Sequence, residues 1–304
     1  HARQSGQASL LADINTQVEN LYNNKFLLKL NDQWQAFVDN APLWDAPPIV
    51  LQRRFFEHWV RPFVERRGKV CVLISDAFRY EIGEELQTLM RQEDRFEAEL
   101  EPALAMLPSY TQLGMAALLP NKTLTLVDND TGVALVDGQS AQGTVNRGKI
   151  LRAAVTAGVA IQAEELMQMG KDESRALVRD NDVVYVYHNL IDKTGDTRDT
   201  EDRVFAAAEE TLQELVRLIK RLANANASNL LVTADHGFIY QNRVLEESDF
   251  LVCEPEGDGI YYRNRRFVLG TGMHASGSFK TFMPAELGLE GSVEVQIPKS
   301  INRL

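Results

Sequence analysis

The sequence predicts an α/β fold, a mostly parallel sheet covered by helices on both faces and entered through a helical amino-terminal segment. Three observations carry this. Residues 69–75 form a near-continuous β-branched and apolar run, which suits a strand buried on both faces of a parallel sheet. Short apolar runs of the same kind recur at 98–101, 159–162, 183–187 and 230–233. Between the last two, Val204, Ala208, Thr211, Leu215, Leu218 and Leu222 follow helical spacing across residues 200–224, with Asp199 placed to cap the start. Strand–helix–strand order implies crossover connections and helices on both faces of the sheet.

In chain order, Leu10, Leu11, Ile14, Val18 and Leu21 recur three and four residues apart. They predict a helix over about residues 9–22 with one stripe turned to a partner surface. After Pro47-Pro48, the residues Ile49, Phe55, Phe56, Trp59, Val60 and Phe63 make an aromatic-rich helical face flanked by Arg53, Arg54, Arg61, Arg66 and Arg67. That face reads as packing, with solvated arginines around it, in preference to a phosphate-binding patch. Gly68 closes the region. The expected organisation is a helical linker or packing segment at 1–66 and an α/β domain at 67–304, whose first helix spans 80–91.

A length of 304 residues allows two domains of about 150 residues or one larger α/β domain. With 44% hydrophobic and 25% charged residues the chain is globular, which excludes collagen-like and wholly disordered readings. Its 32 basic and 43 acidic residues leave a net charge of −11. That balance argues against a sequence-independent nucleic-acid coat, leaves room for a local basic groove, and fits acidic metal ligands. Cys71 and Cys253 are too few for a disulfide framework, and Cys71 sits in an apolar run as a buried thiol, so a reducing cytoplasm is expected. No apolar run approaches the roughly 20 residues of a membrane span, and no signal-peptide pattern opens the sequence. It begins with His1 rather than Met, as expected of a piece of a longer protein.

Parallel sheets bind ligands beyond the carboxyl ends of their strands. There the sequence places Ser75-Asp76-Ala77, then His188-Asn189-Leu190-Ile191-Asp192, then Ala234-Asp235-His236-Gly237, and after the run 267–269 the stretch Gly270-Thr271-Gly272-Met273-His274. Three of the five histidines therefore lie beside strand ends. Asp and neutral imidazole suit Zn²⁺, and with more oxygen Mn²⁺ or Mg²⁺. Carboxylates converging on one rim repel one another unless protonated or bridged by cations, and metal is the simpler resolution. Singly, each residue has an ordinary structural role as a helix cap or hydrogen-bonded histidine. The pair Asp235-His236 is the most specific piece: neighbours pointing opposite ways can reach two ions, and Gly237 permits a tight turn. For a nucleophile, Leu107-Pro108-Ser109-Tyr110-Thr111-Gln112-Leu113-Gly114 presents hydroxyls at the start of a short apolar helix, where a plain capping role is the alternative. A helix amino terminus favours an anion, and a Thr oxygen on a divalent ion is nucleophilic at neutral pH.

The ordered blocks Asp76, Pro108-Ser109-Tyr110-Thr111, Asp192-Lys193-Thr194-Gly195-Asp196, Thr233-Ala234-Asp235-His236-Gly237 and Gly272-Met273-His274 resemble the alkaline phosphatase superfamily. Ser75-Asp76-Ala77-Phe78-Arg79-Tyr80-Glu81 and the Ala-Asp-His-Gly block are similar, more narrowly, to the PglZ family of bacterial BREX phage-defence systems, over about residues 67–280. The resemblance implies an alkaline phosphatase-like catalytic domain in which Thr111 matches the threonine nucleophile of nucleotide pyrophosphatase/phosphodiesterases. It implies one metal held by Asp76, Thr111, Asp235 and His236, and a second held by Asp192, Asp196 and His274. The superfamily commonly has Asp-x-x-x-His where this chain has Asp192-x-x-x-Asp196, which makes the second site harder and favours Mn²⁺ or Mg²⁺, or leaves Asp196 unligated. A sulfatase is improbable, because Cys253-Glu254-Pro255-Glu256-Gly257 lacks the required arginine and follows Asp235-His236.

The activity so implied is hydrolysis of a phosphoric ester by in-line attack of Thr111, with two divalent ions, Zn²⁺ or Mn²⁺ or Mg²⁺, about 4 Å apart. Arg79, Lys193 or backbone amides near Gln112 are candidates to meet charge on the phosphoryl oxygens, although Arg79 equally suits an ion pair with Glu81 or Glu84, and His188 suits a structural hydrogen bond. Without a clear third-ion ligand set, diester cleavage, nuclease-like, is favoured over monoester cleavage. The cluster Tyr261-Tyr262-Arg263-Asn264-Arg265-Arg266 reads as a surface hairpin before it reads as a nucleic-acid steering patch. The implied partners are other BREX proteins, including a DNA methyltransferase and ATPases. The competing expectation is a weak or inactive phosphatase-fold scaffold that binds nucleic acid, nucleotide or proteins.

Overall fold

The run of six residues Val70–Ser75 is buried at every position, as a strand covered on both faces requires. The computed structural model in which it lies describes residues 8–191, 204–238, 254–300, 302 and 304. The chain enters through helix α1 (Ala8–Asn20), a π-helical stretch (Leu21–Leu27) and α2 (Leu28–Asn40), so the helix expected over 9–22 continues to residue 40. A π-helix turns through a smaller angle per residue than an α-helix. The stretch therefore brings Ile14, Val18 and Leu21 into line with Phe26, Leu30 and Phe37 on one face, while Asn23 and Val38 are buried on another. Ile14 is 58% exposed and Phe37 72% exposed, so the stripe expected to meet a partner surface faces solvent among the described residues.

After α2 come β1 (Val50–Leu51), a 3₁₀ turn (Gln52–Arg54), a π turn (Phe56–Val60) and α3 (Arg61–Glu65). Phe55, Phe56 and Val60 are buried with the sheet residues Val70, Val72 and Ile74, which makes the expected packing face part of the main core. Of the arginines around it, Arg61 pairs with Glu57 and Arg53 donates to the Gly288 carbonyl.

Next come β2 (Val70–Ser75), α4 (Tyr80–Arg91), β3 (Ala103–Leu104) and α5 (Thr111–Ala117). The strand expected at 98–101 is not formed; pairing begins at Ala103, where Val50 and Leu51 supply the parallel partner. Then follow β4 (Leu124–Leu126), β5 (Ala134–Val136), β6 (Gln139–Ser140), α6 (Gly143–Ala154), β7 (Gly158–Gln162), α7 (Ala163–Gln168), α8 (Lys171–Asp180) and β8 (Val183–His188). The chain continues with α9 (Val204–Asn224), β9 (Leu230–Thr233), β10 (Gly259–Asn264), β11 (Phe267–Thr271), β12 (Phe279–Phe282) and β13 (Glu294–Pro298). Asp199, the expected cap of α9, lies outside the described residues.

The central sheet is parallel in the order β7-β8-β2-β9. Alternation along β2 and β8 sends Val72, Ile74, Tyr185 and Tyr187 into one core with α5 and α6, and Cys71, Leu73, Val184 and Val186 into another with α4 and α9. A four-stranded antiparallel sheet, β10-β11-β13-β12, adds to the first core, and its β10–β11 hairpin contains the Tyr261–Arg266 cluster. No helix among the described residues is long and apolar enough to cross a membrane.

Burial pushes the Cys71 thiol from 9.0 up to about 12. It stays protonated in the folded chain across a window where the unfolded chain ionises. Between pH about 9 and about 12 unfolding releases that proton, and stability falls as pH rises. Iodoacetamide at about pH 8 is expected to spare Cys71 in native protein and label it in urea, as read by peptide mass mapping; equal labelling rates would show that β2 opens to solvent.

Candidate metal centre

Strands β2 and β9 run parallel with Ile74 opposite Thr233. Asp76 and Asp235 each lie two residues beyond that pair, so the register delivers both to the same end of the sheet. The chain then turns sharply after β2, where Ala77 adopts a φ of +59° and the Phe78 N–H bonds back to the Ser75 carbonyl. Thr111 arrives from a third direction as the first residue of α5.

Asp76, Asp235 and His236 are all buried, and each offers a ligand atom within 4.8 Å of the others; among the described residues they form a candidate metal site. His236 Nε2 lies 3.4 Å from Asp76 Oδ1, 3.6 Å from Asp235 Oδ2 and 3.1 Å from Thr111 Oγ1. The Gly237 carbonyl, 2.9 Å from His236 Nδ1, can only accept, so Nδ1 carries a proton. In the neutral ring this leaves the Nε2 lone pair aimed at the carboxylates and the hydroxyl, the tautomer a metal-ligating histidine uses. Asp235 Oδ1 accepts the backbone N–H groups of Ala77 at 3.0 Å and His236 at 2.8 Å, which fixes the carboxylate and turns Oδ2 toward Nε2. Two carboxylate oxygens, an imidazole lone pair and a hydroxyl in one buried place are a donor set for a divalent cation.

The hydroxyls of the Ser109-Tyr110-Thr111 turn separate by environment. The Tyr110 phenol donates to the Gly132 carbonyl at 2.6 Å, and burial pushes its pKa up. Thr111 instead meets His236. Helix α5 approaches this closely because position 114 is glycine: a Cβ there would collide with the Asp235 carbonyl oxygen and come within 2.9 Å of Asp235 Cβ. Gly114 was not singled out by the sequence, where it passes for one small residue among many. Gly237 has a lesser demand, with a Cβ meeting only Arg79 Cγ at 3.3 Å.

The spacing argument that Asp235 and His236 reach separate ions is corrected. Both face one group with Asp76, because the turn after β9 folds the histidine ring back over the carboxylates. His274 is not among them; it is exposed, with Nδ1 3.4 Å from Glu256 Oε2. Asp192, Lys193 and Asp196 lie outside the described residues. Arg79 pairs with Glu81 at 3.0 Å and stacks over Phe238. His188 bridges Ser75 Oγ at 3.0 Å and Glu214 Oε2 at 2.8 Å, and its carbonyl accepts the Asp76 N–H. It thus ties β2 and β8 together just behind Asp76. Glu214, unsuspected from sequence, reaches it from α9.

Replacement Gly114→Ala is expected to cost about 1–3 kcal/mol in urea unfolding, with weakened divalent-ion binding, because backbone must move to admit the methyl group. Gly277→Ala, where a Cβ meets nothing within 4 Å, is the control and should change neither. Equal stability of the two variants would contradict the close approach of α5 to Asp235.

The chain matches the BREX system PglZ alkaline phosphatase-like domain over residues 55–304. It is 36% identical over 303 residues to the alkaline phosphatase-like protein BrxZ of Escherichia coli O9:H4 (strain HS), covering 97% of this chain and 35% of that protein. It is 34% identical over 290 residues to the alkaline phosphatase-like protein PglZ of Bacillus cereus (strain H3081.97), covering 94% of this chain and 34% of that one. The chain thus spans about a third of the length of these curated relatives. A match over most of the sequence, joined to the parallel sheet and the buried Asp-Asp-His group at its carboxyl end, means that this chain belongs to the PglZ family of alkaline phosphatase-like domains of BREX systems.

Proposed function

We propose that this domain is a metal-dependent phosphoric-ester hydrolase, with Thr111 as nucleophile and a preference for phosphodiesters. The observation that carries the reading is the Thr111 hydroxyl 3.1 Å from His236 Nε2, beside two buried carboxylates. Asp76, Asp235, His236 and Thr111 would hold one divalent ion; Asp192, Asp196 and His274 would hold a second, with the oxygen-rich set favouring Mn²⁺ or Mg²⁺ over Zn²⁺. When bound, such ions supply Lewis-acid stabilisation of phosphoryl oxygens and make an attached hydroxyl acidic. Thr111 Oγ1 loses its proton to water and bonds to phosphorus, while the ester oxygen leaves opposite with its electron pair. Water then hydrolyses the phosphothreonine and restores the hydroxyl. Asp235, anchored by two backbone N–H groups, keeps its place as charge shifts. Placement of Thr111 at the first position of α5 sets the incoming phosphoryl group near a helix amino terminus.

Diesters are favoured because the sequence presents no clear ligand set for a third ion to meet the extra charge of a monoester. The substrate class then includes nucleotide and nucleic-acid backbones. The working context is other BREX proteins, a DNA methyltransferase and ATPases among them, in the cytoplasm. The second reading, a scaffold that binds without turnover, is favoured by the exposed position of His274 beside Glu256, apart from the buried trio.

Hydrolysis of a chromogenic phosphodiester and its monoester, with Zn²⁺, Mn²⁺ and Mg²⁺ titrated in turn, tests the enzyme reading. Thr111→Ala and Asp235→Ala are expected to lower kcat/KM on the order of 10³-fold or more, with the diester cleaved faster. Ion binding without hydrolysis supports the scaffold; hydrolysis at wild-type rates by both variants removes the assigned site.

A further inference from the structure

Gln52 lies in the 3₁₀ turn after β1, 183 positions before Asp235, yet it is only 4% exposed and its amide meets three backbone groups. Nε2 donates to the carbonyls of Ala234 at 2.9 Å and Asp235 at 2.7 Å, and Oε1 accepts the Met106 N–H at 3.0 Å. Carbonyls only accept and the amide N–H only donates, so these partners fix which end of the side chain is nitrogen. The Asp235–His236 peptide carries both ligand side chains on its two flanks. Its N–H is held by Asp235 Oδ1 and its carbonyl by Gln52. Met106, on the oxygen side, leads by five residues into Thr111 at the head of α5.

We infer that Gln52 is the positioning residue of the metal centre, fixing the plane of the Asp235–His236 peptide and its spacing from the segment that delivers Thr111. The inference rests on reading Asp76, Asp235 and His236 as a cation site. A side chain that orients metal ligands through hydrogen bonds typically changes metal affinity 10–100-fold when lost. Gln52→Glu keeps the size and the acceptor but sets a carboxylate against two carbonyl oxygens; Gln52→Ala removes all three contacts.

Co²⁺ titration followed by visible d–d absorption reads both affinity and coordination geometry, and amide hydrogen exchange across residues 234–237 in the ion-free protein reads the peptide itself. Leu222→Ala, fully buried in the core on the opposite sheet face, is the control for general destabilisation. Both Gln52 variants are expected to bind Co²⁺ 10–100-fold more weakly with an altered band and to exchange faster at 234–237. Leu222→Ala should keep the wild-type band and affinity. Wild-type Co²⁺ affinity in the Gln52 variants overturns the inference. If the wild-type chain and Asp235→Ala bind Co²⁺ alike, the cation reading fails by itself; exchange at 234–237 then decides the positioning role, and unchanged rates in the Gln52 variants overturn it.

Discussion

Two carboxylates, Asp76 and Asp235, are held together away from water, and their mutual repulsion is the constraint around which the carboxyl end of the sheet is built. Burial of charge in a low-dielectric interior is costly unless hydrogen bonds or counter-charge offset it. Here the offsets are local and directional. Backbone N–H groups of Ala77 and His236 converge on Asp235 Oδ1, and the His236 ring and the Thr111 hydroxyl lie against the same carboxylates. The two carboxylates, the imidazole nitrogen and the hydroxyl bring electron pairs to one shared space, the arrangement a cation site requires. A divalent cation fits that set of oxygen and nitrogen ligands.

The sheet divides its work between its two faces. On the face of α5, side chains alternate down β2 to Ile74 and then Asp76, ending at that ligand set. On the other face Ser75 turns to His188 and through it to Glu214 on α9. One chain of hydrogen bonds thus anchors the strand ends from behind while the adjacent residue works in front. The period of two along β2 makes this division: Ser75 and Asp76 serve opposite faces.

What was legible in the sequence follows from how local its cause is. β2 and β8 showed themselves as apolar runs because burial on both faces removes any polar alternation, half-buried β9 showed a shorter run of the same kind, and Asp76, Asp235 and Thr111 followed from strand ends and a helix start. The run at 98–101 resembled those strands in composition, but a strand needs a partner, and the partner segment at Val50–Leu51 pairs further along, at Ala103–Leu104. The direction of His236 depended on the turn after β9, which spacing does not encode. Gly114 and Gln52 were invisible for a stronger reason: each matters through contact with Asp235, and no pattern within the chain's local sequence marks a contact made across 121 or 183 positions.

That distance also changes what the amino-terminal segment is. Residues 50–60 are joined to the domain by the parallel β1–β3 pair, by Phe55, Phe56 and Val60 in the core, and by Gln52 at the back of the Asp235–His236 peptide. Further toward the amino terminus, α1 and α2 turn an aligned apolar stripe to solvent. The exposed stripe on α1 and α2 and the Gln52 amide behind the ligand loop thus belong to one segment, joined through residues 41–51. Linkage is reciprocal. If Gln52 orders the ligand loop, then an ion that orders the same loop also tightens the seating of residues 50–56, and any contact that strains that seating weakens the ion. On that reading a cation site and the seating of residues 50–56 are coupled through Gln52, although Asp235 lies 183 positions further along the chain.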